Sequence, residues 1–430
     1  MRLTHHGLAL IAAGCALAAA SCDEREVEPA STLEARADDE VWITTGRDTL
    51  PSLARLHGIT PTVYGPARDG APVAVRLPRR LLPSLSEIAH DEHHRCGGYV
   101  LHDDEADAME AAEGPIAIEK QTVAGAYRLD NPETVQALSG ALREAELLTT
   151  VRKLSSYPTR HHASATGLEA ARWLRDTWAG FAKGRTDVKV ALVTHTRTPQ
   201  PSVSLTIRGG KLPNEHVILG GHLDSIAGRN AAAKAPGADD NASGIGTLTE
   251  VARAALSLGY VPERTVTFYA YAGEEVGLLG SADIATQAKQ AALKVVGVMQ
   301  LDMTNFNAAR EPYIALIRDN TDVALNQFTA QLIDTYVLVP WKFDRCGYAC
   351  SDHASWTARG FPAAFPHEAA LAEGNKRIHT ADDTLARSSD GVGHAMKFAR
   401  LGAAFVGELA KGKVAAPTHR PAPPVPATAP

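Results

Sequence analysis

Apolar residues fall along this chain in two rhythms. Short apolar or alternating runs of strand length occur at SVSLTIRG (202–209), HVILGG (216–221), TVTFYAYA (265–272) and VVGVMQL (295–301). Between them the spacing changes to that of helices. In SGIGTLTEVARAAL (243–256), Ile245, Leu248, Ala252 and Ala255 share one face. Thr166-Gly-Leu-Glu169 has capping-box spacing and opens the helical run AARWLRDTWAGF. Strands alternating with helices predict an α/β fold, a largely parallel mixed sheet with helices on both faces.

Upstream, VWITTG near Glu40, VAVRLP (73–78) and CGGYVLH (96–102) predict a smaller α+β domain over residues 40–114. It closes with DDEADAMEAAE (103–113), six acidic side chains in eleven residues, which reads as a solvated, exposed boundary suited to proteolysis. The larger α/β unit is then expected over residues 115–412. Residues 7–20 form an apolar run behind Arg2 that is too short to span a bilayer comfortably, so residues 1–21 read as a signal peptide. Cys22 follows Ala19-Ala20-Ser21, which leaves lipid anchoring through Cys22 and plain secretion both open. Either way the protein is expected to be exported. Residues 22–39 are acidic and Ser/Ala-rich and read as a tether. Residues 413–430 read as a disordered tail, with six prolines among residues 417–430.

Composition narrows the function classes. A chain of 430 residues with 45% apolar and 21% charged residues is an ordinary globular protein. A net charge of −6 gives no support for nucleic-acid binding.

The polar groups that stand out lie at strand exits. His222 and Asp224 follow HVILGG, Glu274 and Glu275 follow TVTFYAYA, and Asp302 follows VVGVMQL; Asp239 and Asp240 precede the next helix, and His379 lies in the loop KRIHTADDT. In open α/β sheets ligands collect at the carboxyl ends of the strands. His, Asp and Glu without cysteine suit Zn²⁺, and more carboxylates than one ion needs suggest two ions sharing a bridging carboxylate. The Glu274-Glu275 pair offers one metal ligand and one general base. Taken singly, each group reads as readily as a cap or surface residue, and Asp240 could be only an N-cap. Their coincidence at the strand exits is what favours a site.

GGHLDS (220–225), APGADDNASG (235–244), AYAGEEVGLLGS (270–281), QLDMTN (300–305), CGYACSDHASW (346–356) and RIHT (377–380) together resemble the bacterial secreted leucyl aminopeptidases, co-catalytic zinc enzymes of metallopeptidase family 28. VWITTG and HHRCGGYVLH are similar to the amino-terminal propeptide of those enzymes, so the resemblance runs from about Glu40 to Lys411. It implies a zinc exopeptidase fold, two Zn²⁺ per chain, peptide substrates with a free amino terminus, and a monomer. It implies that Asp240 bridges the metals, that His379 and Glu275 complete one site, and that His222 and Asp302 complete the other. Glu274 would be the general base acting on a water between the metals, Asp224 would orient His222, and Tyr348 would steady the oxyanion.

Cys346 and Cys350 in CGYAC read as a disulfide in an exported protein, with a thiolate metal site as the competing reading. By resemblance, a pocket of Met303, Ile317, Tyr348, Phe365, Leu371 and Ile378 would take a Leu-like side chain. His367 and Gly374 stand where bulky aromatics are common in the family, and Asn241 where a third aspartate is common. His90, His93, His94 and Cys96 form a second cluster, read as structural or surface groups rather than a metal site. The rival functions are a zinc aminoacyl cyclase on the same fold and an inactive zinc-binding lipoprotein. Possession of both His222 and His379, and of Glu274, favours the peptidase.

Overall fold

The computed structural model describes residues 39–65, 72–93, 98–102, 104–113, 127–228, 230–307, 312–388 and 391–415. The signal peptide, the tether and most of the proline-rich tail lie outside these residues, as do His94, Cys96 and the expected boundary at residue 114. The His90 side chain is likewise not described. His93 pairs with Asp48 at 3.5 Å.

Eight strands build the main sheet: β5 (Val188–Val193), β6 (Ser202–Ile207), β7 (Leu212–His222), β8 (Arg264–Tyr271), β9 (Lys294–Gln300), β10 (Ile314–Ile317), β11 (Trp341–Asp344) and β12 (Ala363–His367). Their order is β11-β10-β12-β9-β7-β8-β6-β5. The inner strands β12, β9, β7 and β8 run parallel. β6 and β5 are added antiparallel on one side, and β10 pairs antiparallel with β12 on the other. The apolar runs of β7, β8 and β9 are buried, as expected for strands covered on both faces. Gly220 and Gly221 let β7 sit close to its neighbours. A Cβ at Gly220 would meet the Tyr271 ring at 2.3 Å, and one at Gly221 would meet the Leu301 carbonyl at 2.7 Å.

Helix Ala242–Ser257 is buried almost all round, not on one face alone, because it lies between the sheet and the helices Glu144–Ser155 and Ala395–Ala410. Trp178, Phe268, Phe398 and Phe405 belong to its core. The predicted capping box is displaced. Ser164, not Thr166, caps helix Ala165–Phe181 by accepting the Gly167 N–H, while the Thr166 hydroxyl donates to the Thr159 carbonyl. The folded unit also runs further than residue 412: Lys413 pairs with Val261, and Ala415 N–H donates to Leu258.

The first region is a four-stranded antiparallel sheet in the order β2-β3-β1-β4, from β1 (Glu40–Gly46), β2 (Thr62–Tyr64), β3 (Pro72–Pro78) and β4 (Tyr99–His102). Helices Leu50–His57 and Leu82–His93 accompany it and share its apolar core. The acidic run is not simply a solvated boundary. It forms helix Glu105–Glu113, whose Ala108 and Ala112, four residues apart on one face, are small enough to pack closely against the sheet. Asp107 on this helix also pairs with Arg359 of the main unit at 2.6 Å.

Candidate metal centre

The expected metal ligands converge at the carboxyl ends of neighbouring strands. His222 ends β7, Glu275 follows β8, Asp302 follows β9, and His379 lies in the loop after β12. Asp240 lies two residues before the helix Ala242–Ser257. That helix is capped by Asn241, which accepts the Gly244 N–H, so Asp240 is not the cap. The Asn241 amide also donates to the Leu301 carbonyl, and its oxygen accepts the Met303 N–H, tying this loop to the one that carries Asp302.

Two ligand groups result. His222, Asp240 and Asp302 form one, and Asp240, Glu275 and His379 the other; in each, the ligand atoms lie within 4.8 Å of one another. The two oxygens of Asp240 are divided between them. Oδ1 lies 3.0 Å from His222 Nε2 and Oδ2 lies 3.2 Å from His379 Nε2. Asp302 Oδ1 lies 3.2 Å from His222 Nε2, and Glu275 Oε2 lies 2.8 Å from His379 Nε2.

The donor set fits divalent cations. All five side chains are buried, and beside them both carboxylate oxygens of buried Glu274 accept no hydrogen bond. Three buried ligand carboxylates around two imidazoles, with Glu274 beside them, gather more negative charge than the imidazoles balance, so this packing is intelligible with cations between the ligands. The electrostatics agree. Burial lowers the proton affinity of His379, yet Glu275 and Asp240 outweigh it and push its pKa up to about 10. The same balance holds at His222, where Asp302 and Glu274 overcome burial. Both imidazoles are thus drawn to the charged form by an excess of negative charge.

Glu274 belongs to neither group. Burial pushes its carboxyl well above the usual range, with Glu275, Asp352 and Asp302 adding to the effect against the pull of His222. Asp224 faces His222 Nδ1 at 3.6 Å and also accepts the backbone N–H groups of Glu274 and Glu275, at 3.0 and 3.2 Å. It therefore fixes the loop that carries Glu274 as well as the imidazole.

The other expected residues are distributed around this centre. Cys346 and Cys350 are disulfide-bonded. Tyr348 is buried with that disulfide, Ile317 and Phe365, with Leu371 packed against the cluster, while Met303 and Ile378 form a separate buried pair. At Gly374 a Cβ would come within 3.3 Å of His367 Cε1, so the buried His367 ring occupies space beside that glycine.

Several contributors were not singled out by the sequence, even where they lie inside a quoted motif. Arg160 is fully buried and donates to the carbonyls of Leu223, Leu154, Pro236 and Gly237, which anchors the chain on both sides of the ligand loops. Ser351 donates to Asp302 Oδ2 at 2.6 Å. Asp383 accepts the N–H groups of Asp239 and Asp240, and Asn375 donates to both Asp239 and Asp383. Only contacts across long sequence separations reveal these residues; a polar run around Arg160 offers the eye no more than a loop.

The family model described as Peptidase family M28 matches residues 202–403. A probable leucine aminopeptidase of Arthroderma otae is 38% identical over 280 residues, covering 64% of this chain and 76% of that protein. The chain belongs to peptidase family M28. As a member it is a hydrolase of the aminopeptidase type. Two solved structures from Legionella pneumophila agree in fold. The LapA aminopeptidase superposes with a TM-score of 0.73 at 28% identity, covering 86% of this chain and 98% of its own. LapB gives 0.72 at 29% identity, covering 87% and 100%.

Proposed function

We propose that this M28 peptidase is an exported zinc aminopeptidase that removes the first residue of peptides and prefers apolar, Leu-like residues there. The observation that carries the reading is the division of the two Asp240 oxygens between His222 and His379, with the Glu274 carboxylate beside them and accepting no hydrogen bond. His222, Asp302 and Asp240 would hold one Zn²⁺, and His379, Glu275 and Asp240 a second. Such a pair of ions, when bound, acidifies water and withdraws charge from a carbonyl oxygen.

The chain's own residues supply the rest. Glu274 takes a proton at a carboxylate oxygen and delivers it to the leaving amine nitrogen, a task suited by a carboxyl whose proton affinity is raised by burial. Asp224 holds the Glu274 backbone and the His222 ring in place while this happens. The Tyr348 phenol is assigned the donor to the developing oxyanion. Met303, Ile317, Phe365, Leu371 and Ile378 provide apolar surface for the first side chain, at about 0.8 kcal/mol per buried methylene. A single-ion cyclase of the same fold would have no use for two complete ligand groups.

The first region is read as a covering propeptide. Tyr99 of β4 packs on Gly277, three residues beyond Glu274, where a Cβ would meet its ring at 2.6 Å; Leu101 N–H donates to the Gly277 carbonyl. Export rests on the amino-terminal sequence, as do the alternatives of secretion and anchoring through Cys22, and a monomer is expected. The test is hydrolysis of a panel of aminoacyl p-nitroanilides with metal analysis in parallel. Leucine-led turnover with about two zinc ions per chain is expected; no release of any first residue by zinc-loaded, trimmed protein would overturn the reading.

A further inference from the structure

The first region does not fill the space over the ligands. A cavity of about 300 Å³ lies between helix Leu82–His93 and the metal centre. Pro83, Ser86, Glu87, Asp91 and Tyr99 give it one wall, and the ligands Glu275 and His379 lie on the other. Its exposed lining residues, Pro83, Asp91 and Gly228, mark a rim, while Ser86, Tyr99 and Glu275 are buried and mark the floor. The volume is in the range that holds a small ligand.

His161 also lines this space. Its Nδ1 accepts the Ala163 N–H, so the proton of the neutral ring is on Nε2. Burial, opposed by Asp224, keeps the ring in that neutral form by lowering its proton affinity. Glu87 and Asp91 place two carboxyl side chains on the first-region wall.

We propose that the first region is a length filter: in the intact chain, the cavity it forms with the metal centre admits aminoacyl derivatives and peptides of two or three residues and excludes longer ones. The proposal rests on the aminopeptidase reading above. A closed plug would leave no room beside Glu275 and His379, whereas an open face would leave no upper limit on length. Helix Leu82–His93 walls the cavity on the side facing Glu275 and His379, which bounds the length of chain the cavity can hold.

The test compares intact protein with protein trimmed by limited proteolysis, both zinc-loaded, on leucine p-nitroanilide, Leu-Gly, Leu-Gly-Gly and a Leu-headed decapeptide. For intact protein, kcat/KM should fall by at least about tenfold between the tripeptide and the decapeptide, and trimming should remove most of that step. Glu87→Trp, which narrows the cavity, should lower kcat/KM for the short substrates in the intact chain and lose its effect on trimming. An equal length dependence in both forms would sink the filter, as would an intact chain inert toward the anilide while the trimmed form is active. If neither form releases leucine from any of the four, the failure lies in the aminopeptidase reading itself.

Discussion

Glu274 and Arg160 show how differently two buried titratable side chains are placed around one centre. Glu274 is surrounded by acids and accepts no hydrogen bond, so it is available to carry a proton. Glu274→Ala should lower kcat by about 10²–10⁴-fold, the span typical of general-base loss, while metal content by atomic absorption stays unchanged. Arg160 has its donors committed to backbone carbonyls. Burial draws its guanidinium down to about 10, against the pull of Asp383, Asp240 and Asp224. Arg160→Met would orphan several buried carbonyls at about 1–3 kcal/mol each, so urea unfolding should show a loss of at least about 3 kcal/mol. Glu274 was legible in the sequence because it stands at a strand exit beside a second glutamate. Arg160 was not, because its role is defined by carbonyls more than sixty residues away, such as those of Leu223 and Gly237.

At the level of elements, helix Glu105–Glu113 joins the two regions. Asp107 meets His102 at 3.1 Å and Arg359 at 2.6 Å. Burial opposes ionisation of Asp107, but His102 and Arg359 win and hold its carboxyl well below the ordinary value of 3.8. A carboxyl depressed in the docked state stabilises docking above that ordinary value and ceases to do so as pH falls through its lowered one. Docking should therefore loosen below about pH 4. Asp107→Asn should reproduce the loosening at neutral pH, seen as faster cleavage between the regions by a dilute protease. The charge pattern of this run was plain in the sequence; its burial was not, since Ala108 and Ala112 carry little signal by themselves. Strands β7, β8 and β9 were legible as apolar runs. The four-residue strands β10 and β11, and the half-exposed β5, were too short or too mixed to stand out.

For the molecule as a whole, the ligands link loops after four adjacent strands, so metal and fold should be thermodynamically coupled. Ions that bind the native state alone stabilise it by about 3 kcal/mol at a hundredfold excess over Kd. Chelation should abolish activity and lower Tm, and added Zn²⁺ should restore both in a thermal-shift titration. The broad α/β plan and the convergence of ligands could be anticipated from the order of runs and exits. The way the first region sits over Gly277 could not, because that contact depends on the shape of two surfaces rather than on any local pattern.

The outermost strands of the eight-stranded sheet add a consequence for life in a crowded medium. Among the described residues β5 and β11 each leave one side without a partner strand, and each carries an exposed lysine, Lys189 and Lys342. Charge at such margins discourages other chains from adding on and growing into aggregates. Replacing both lysines by threonine should shorten the shelf life of concentrated stock, read as rising light scattering, with peptide turnover untouched at first. The positions that keep the molecule dispersed thus lie at the sheet's two rims, away from the chemistry at its centre.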